Sequence, residues 1–208
     1  MTAEPLLLPV GHDLGALQPD AAAARRRQQL RVGVELIELA DQDFAVWLLA
    51  HGVDSDDRPT RTSVTASAAA LGLDAEQVDA AVQRFVGVGL LVEVDPAGES
   101  AVVFAQEHRL VPLMHGLGPD PEQPWMQTIG LLNQPVVQVS TALYDVWAWS
   151  QLAPQLWTGC HDAAIVAEKA GVTDPAETDP RQVLTGVLRN VHALLCVRAA
   201  YLDRRVAR

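Results

Sequence analysis

The sequence predicts an α+β chain, dominated by helices and built from two successive copies of one unit of roughly 100 residues. Three observations carry that expectation. The opening segment LLLPVGHDLGALQPD (residues 6–20) returns as RLVPLMHGLGPDPEQP (residues 109–124), with Pro9 facing Pro112, His12 facing His115, Leu14 facing Leu117 and Gly15 facing Gly118. The tetrapeptide FAVW, Phe44 to Trp47, returns as YDVW, Tyr144 to Trp147. The run DAEQVDAAVQRFVGVGLLVEV (74–94) returns as DPRQVLTGVLRNVHALLCVRA (179–199), matching Val78, Val82, Arg84, Val86, Leu90 and Val92 to Val183, Val187, Arg189, Val191, Leu195 and Val197.

The elements follow in order. After the shared Pro/His/Leu-Gly segment each copy has a β-rich run, LRVGVELIEL (30–39) and PVVQVS (135–140). A helix follows each. Asp41 stands before one and Ser140-Thr141 before the other, where short polar side chains accept bonds from free first-turn N–H groups. Phe44, Trp47 and Leu48, like Tyr144, Trp147 and Ala148, fall at helical spacing and share a face. A short helix ends at Gly72 in one copy and Gly171 in the other, where the chain needs a residue tolerant of positive φ. A longer helix starts at Asp74 or Asp179, the latter with Pro180 at the favoured first helical position. In the first copy GVGLLVEV, DPAGES and AVVFAQ then read as strand, turn and strand, a hairpin. The second copy stops soon after VRAAYLD, so its hairpin is expected to be truncated or absent.

That order of elements resembles the winged-helix fold, over residues 30–106 and 135–203. The resemblance implies two tandem winged-helix-like repeats, small β-hairpins packed on three-helix units, with domains at 1–108 and 109–208. It is a pattern of elements and carries no signature of chemical residues.

Composition narrows the function. Of 208 residues, 49% are hydrophobic and 20% charged, ordinary for a globular chain. The formal net charge is −11; residues 1–105 hold 7 basic and 16 acidic side chains, residues 106–208 hold 8 and 10. That balance disfavours nucleic acid as the main partner, because phosphate neutralisation supplies most of such affinity. Cys160 and Cys196 form no disulfide framework, and the first residues lack the pattern of a signal peptide, so a cytoplasmic protein is expected. Lys169 is the only lysine among 15 basic residues, which points to a GC-rich bacterial source.

No catalytic constellation stands out: GxSxG, GxxxxGK[ST], GxGxxG and HExxH are all missing. The chain is therefore expected to be no enzyme and to need no cofactor. His12 and His115 invite a metal reading, but no Cys, Asp or Glu repeats with them at ligand spacing, and a structural turn is the better reading. Cys160-His161 and His192 with Cys196 resemble halves of a zinc site, yet the latter pair aligns with ordinary core positions, so no metal is expected. Trp47 and Trp147 read as core anchors. Trp125, Trp149 and Trp157 read as core, with a groove lining as the other choice. Two basic clusters remain, Arg25, Arg26, Arg27 and Arg31, and Arg198, Arg204, Arg205 and Arg208.

Two classes of function compete. A DNA-binding regulator would use the second copy, where Arg181, Gln182, Thr185 and Arg189 line the longer helix; the first copy places Asp74, Glu76 and Asp79 there instead. A protein- or peptide-binding module is the favoured reading. The arrangement VELIELADQDFAVWLLAHG, then helices, then VGLLVEV, loosely resembles PqqD-like peptide-recognition domains, although those are usually single. The resemblance implies that a peptide adds a strand to a sheet edge. The candidate edge is residues 34–39, with Val34, Leu36 and Glu38, and the groove would lie near Val82, Arg84 and Phe85. Tandem winged helices also serve as partners of a larger subunit in chromosome-organising complexes. A two-copy chain is expected as a monomeric internal pseudo-dimer or as a homodimer, with no membrane association.

Overall fold

The computed structural model describes residues 4–17, 27–54 and 58–205. Two pairs of strands and two small sheets, all antiparallel, combine with helices in one α+β arrangement that runs through the same order twice. The first copy comprises β1 (Leu6–Pro9), β2 (His12–Leu17), β3 (Arg27–Val32), β4 (Glu35–Leu39), α1 (Asp41–Leu49), α2 (Arg61–Ala70), α3 (Ala75–Val88) and β5 (Leu91–Val94). After α4 (Glu99–Glu107) the second comprises β6 (His108–Pro112), β7 (His115–Pro119), β8 (Met126–Leu131), β9 (Gln134–Ser140), α5 (Thr141–Trp149), α6 (Leu156–Lys169), α7 (Pro175–Thr178), α8 (Pro180–Asn190), α9 (His192–Cys196) and β10 (Ala200–Arg204).

The opening echo is the corner between two strands. β1 and β6 end at Pro9 and Pro112, and His12 and His115 begin the next strand. Each following strand then breaks register, between Asp13 and Gly15 in one copy and between Gly116 and Gly118 in the other. Gly15 sits at φ 90° and Gly118 at φ 94°, so the repeated glycine makes the same bulge twice. The β-rich run at 30–39 is two strands, not one. A two-residue turn divides it, with Gly33 at φ 59° in the first central position. β2-β3-β4 and β7-β8-β9 are therefore three-stranded meanders.

The long helices end as their caps dictate. Thr60 forms a capping box with Ser63, and Asp74 accepts from the Gln77 N–H at 3.0 Å. Ser140 and Asp179 cap the second copy's helices as expected. Asp41 does not cap α1: Ala40 holds that position, and the Asp41 carboxylate accepts from Gln28 Nε2 instead. α3 runs unbroken to Gly89 at φ 70°, whereas its counterpart stops at Asn190 and resumes as α9, reaching positive φ only at Arg198. β5 and β10 then pair with β1 and β6, with Pro9 opposite Leu91 and Pro112 opposite Ala200. That register moves the end of the second copy four places from the alignment the sequence suggests.

The expected hairpin after α3 does not form. Residues 99–107 are helical, because Gly98 caps the turn, the Asp95 carboxylate holds the Ala97 N–H, and Ala101, Phe104 and Ala105 bury one face at helical spacing. α4 packs against α6 and α8 and joins the second copy's core. The second copy, whose hairpin was expected to be truncated or absent, ends in the single strand β10.

Two cores result. Leu30, Val32, Trp47, Val82, Phe85 and Leu91 belong to the first; Phe104, Leu110, Ile129, Trp147, Leu188 and Leu202 belong to the second. β1 serves both. Leu7 faces the first core, while Leu6 and Leu8 face the second, and all three are buried. A strand with both faces covered reads as an unbroken apolar run, which is why LLLP shows no alternation. Among the described residues no helix is long and apolar enough to cross a membrane.

Asp203 ties the copies together. Its carboxylate is fully buried and accepts from the Gly33 N–H at 2.6 Å, from the Arg204 N–H at 3.0 Å and from Arg109 at 3.0 Å. Around it Arg31 donates to the Tyr201 hydroxyl, Arg198 pairs with Asp13 at 3.0 Å, and Arg204 donates to the Val88 carbonyl. The turn of the first meander is thereby fastened to β10.

Candidate interaction edge and groove

A sheet edge offers unpaired backbone donors and acceptors, and most proteins blunt such edges. The two meanders have four outer strands. β2 and β7 carry the glycine bulges. β9 contains Pro135, which has no N–H, and breaks register between Ile129 and Gly130 of its partner. β4 differs: it pairs with β3 in unbroken register from Val32 opposite Glu35 to Gln28 opposite Leu39, and it contains no proline. Because the two-residue turn makes Val32–Glu35 a bonded pair, bonding alternates along the ladder. Leu36 and Glu38 therefore turn their own N–H and C=O to the open side.

The side chains agree with that geometry. Ile37 and Leu39 face the helices, Leu39 in the core. Val34 and Leu36 are 86% and 62% exposed, and Glu38 is exposed. One residue beyond β4 the chain enters α1, whose first turn walls a groove of about 310 Å³ against α3. Val46, Leu73, Val78 and Ala81 supply its apolar lining, and Gln77 and Arg84 its polar lining. Arg84 donates to Asp43 at 2.7 Å across the two helices. The six residues of the expected peptide site thus divide. Val34, Leu36, Glu38 and Arg84 are at the surface. Val82 and Phe85 are 0% and 4% exposed and belong to the core; they lie on the helix face turned inward from Arg84. A groove does border α3, but its α3 lining comes from Gln77, Val78, Ala80, Ala81 and Arg84, with α1 opposite. The i, i+4 set Gln77, Ala81 and the set Ala80, Arg84 would have marked that face.

The DNA-reading set is partly engaged. Arg181 donates to Glu99 of α4 at 2.8 Å, and the Thr185 hydroxyl donates to the Pro96 carbonyl at 3.0 Å. Gln182 and Arg189 remain exposed. Of the basic clusters, Arg25, Arg26 and Arg208 lie outside the described residues; Arg204 pairs with Glu35 at 3.7 Å, and Arg205 donates to Gln155.

Trp47 and Trp147 are buried core anchors, donating to the carbonyls of Val10 and Ala199. Trp157 packs half-buried on the second core. Trp125 and Trp149 are each 66% exposed, so the core reading does not hold for them. Each lies at an element end, Trp125 just before β8 and Trp149 at the close of α5, where the inward face has run out. Among the described residues no three His, Cys, Asp or Glu side chains gather as a metal site. His12 packs against Tyr201 at a tilt, with ring centroids 4.6 Å apart, and burial beside Arg31 holds its pKa below the ordinary value. Burial pushes the Cys160 thiol up to about 12, the opposite of what a nucleophile needs.

Comparison with family models, curated proteins and solved structures returns no match to this chain.

Proposed function

We propose that this chain is a non-catalytic binding module, two winged-helix-like copies in tandem, that takes an extended segment of a protein or peptide partner along β4. The carrying observation is the contrast among the four outer strands. Bulges or a proline interrupt three of them, while β4 is regular, with Leu36 and Glu38 turning outward backbone groups that have no partner among the described residues. An added strand would satisfy those groups, and the exposed Val34 and Leu36 would give up apolar surface to it. The groove between α1 and α3, which no β4 residue lines, would take a side chain of the partner from beyond the added strand. The winged-helix-like description rests on α1, α2 and α3 followed by β5 in the first copy, and on α5, α6 and α8, with the short α7 and α9 added, followed by β10 in the second, β5 and β10 taking the place of the first wing strand.

The test is Leu36→Pro, which removes an outward N–H while leaving the bonded Leu30–Ile37 pair untouched. Partners captured by the wild-type full chain should be lost by this variant, with the far-ultraviolet circular dichroism retained. Retained capture would move the site away from β4. Salt-sensitive binding of labelled mixed duplex DNA, lost on replacing Arg189, would replace the reading with nucleic-acid recognition.

A further inference from the structure

The reading above leaves the chemistry of the partner open; the charge around β4 narrows it. Glu35 and Glu38 lie on β4, Asp41 and Asp43 on the first turn of α1, and Asp74 and Glu76 at the start of α3. Against them stand Arg84, held by Asp43, Arg204, 3.7 Å from Glu35, and two arginines of the neighbouring β3, the exposed Arg27 and the half-buried Arg31, the latter opposite Leu36 and 4.0 Å from Asp203. Glu38 and Glu76 are exposed and make no ion pair among the described residues. Among the described residues the Asp41 carboxylate meets the neutral amide of Gln28 and no cation. Among the described residues, six carboxylates on β4 and at the starts of α1 and α3 thus stand against four arginines, on the half of the chain that holds most of the net negative charge.

Resting on the β4 reading, we infer that the occupant is a basic extended segment, in which apolar residues alternate with lysine or arginine. Period-2 alternation follows from the strand geometry. One set of side chains would fall on the side where Ile37 and Leu39 meet the helices, and the other on the solvent side beside Leu36 and Glu38. Opposite charges on neighbouring strands favour pairing and like charges oppose it. The same excess of carboxylates sets the approach of an acidic segment against repulsion, so it selects among partners as well as attracting one.

Three fluorescein-labelled heptapeptides test this, sharing one alternating valine frame with lysine, serine or glutamate between. Fluorescence anisotropy is read with the full chain at low and at physiological salt. The lysine peptide is expected to bind at least about tenfold more tightly than the serine peptide at low salt, with the ratio shrinking as salt rises and the glutamate peptide weakest. Leu36→Pro should abolish all binding. Equal binding of lysine and serine peptides, both lost in Leu36→Pro, would overturn the charge inference and leave the edge reading standing. Lysine-peptide binding that survives Leu36→Pro, or no binding by any peptide, would overturn both. Should Leu36→Pro fail to fold, Glu38→Gln with Glu76→Gln decides. Both positions are exposed, and the lysine-to-serine ratio should fall at least about threefold; an unchanged ratio would refute the inference.

Discussion

Replacing Asp203 by alanine should be among the most damaging single changes in this chain. The carboxylate is fully buried and meets the Gly33 N–H at 2.6 Å, the Arg204 N–H at 3.0 Å and the Arg109 guanidinium at 3.0 Å. Losing a charged acceptor for the Gly33 N–H costs about 1.5–3 kcal/mol. The Arg109 side chain keeps 31% of its exposure, so water screens that pair and its loss adds about 1 kcal/mol or less. Together the change should cost about 3 kcal/mol, or about 10 °C in Tm for a chain of this size. Asp203→Asn keeps an acceptor for Gly33 and should lose about half as much. Urea unfolding followed by circular dichroism reads both. A loss under about 0.5 kcal/mol for Asp203→Ala would show that the junction is not held by this carboxylate, and the account of how the copies are joined would fail.

Three further outcomes are expected. His51 is buried with its Nδ1 at 3.2 Å and 3.1 Å from the Trp47 and Leu48 carbonyls, and burial lowers its pKa from 6.5 to about 4. The unfolded ring takes a proton near 6.5 while the folded one stays neutral, so stability is fully present above pH 6.5 and falls by roughly 3 kcal/mol as pH drops toward 4. Denaturant titrations across that window should show His51→Leu flattening the slope, and an unchanged slope would remove the assignment. Iodoacetamide should leave Cys160 unlabelled in the folded protein and label it in denaturant, read by mass spectrometry; native labelling would mean that α6 opens. In Gly130→Ala the new Cβ would lie 2.0 Å from the Gln134 carbonyl oxygen, a backbone atom that cannot swing away, so a loss of about 3 kcal/mol is expected by thermal unfolding. A Tm within about 1 °C of wild type would show that the β8–β9 turn shifts freely.

Much of the fold is legible in the sequence where a local rule acts alone. The paired glycines announce the bulges at Gly15 and Gly118, and Asp74, Ser140 and Asp179 announce helix starts. The failures come where a tertiary partner decides. AVVFAQ has strand-forming residues, but the second copy offers Ala101, Phe104 and Ala105 a surface that only a helix can reach. The break at Val191 and the left-handed Arg198 displace an alignment that was read straight through from α8. Of the site, the exposure of Leu36 and Glu38 follows from alternation along β4, while Val34 is exposed because it sits in the turn before it. The inward turn of Val82 and Phe85 follows from where α3 meets α1, and the role of Asp203 depends on Gly33, 170 positions earlier.

The double burial of β1 has a consequence during synthesis. Leu6 and Leu8 lie at the start of the chain, yet the surface that covers them is assembled from α4 onward and closed by Leu202. At elongation rates of about 5–20 residues per second, a first copy that folds as it leaves the ribosome waits roughly 5–20 s for the rest. Throughout that interval it presents Leu6, Leu8 and Val94 to solvent as a bare apolar strip, each side chain forgoing about 1.5–3 kcal/mol of burial. A chain halted after the first hundred residues would be a natural client for a chaperone that grips short apolar strands, and would cease to be one once β10 is in place.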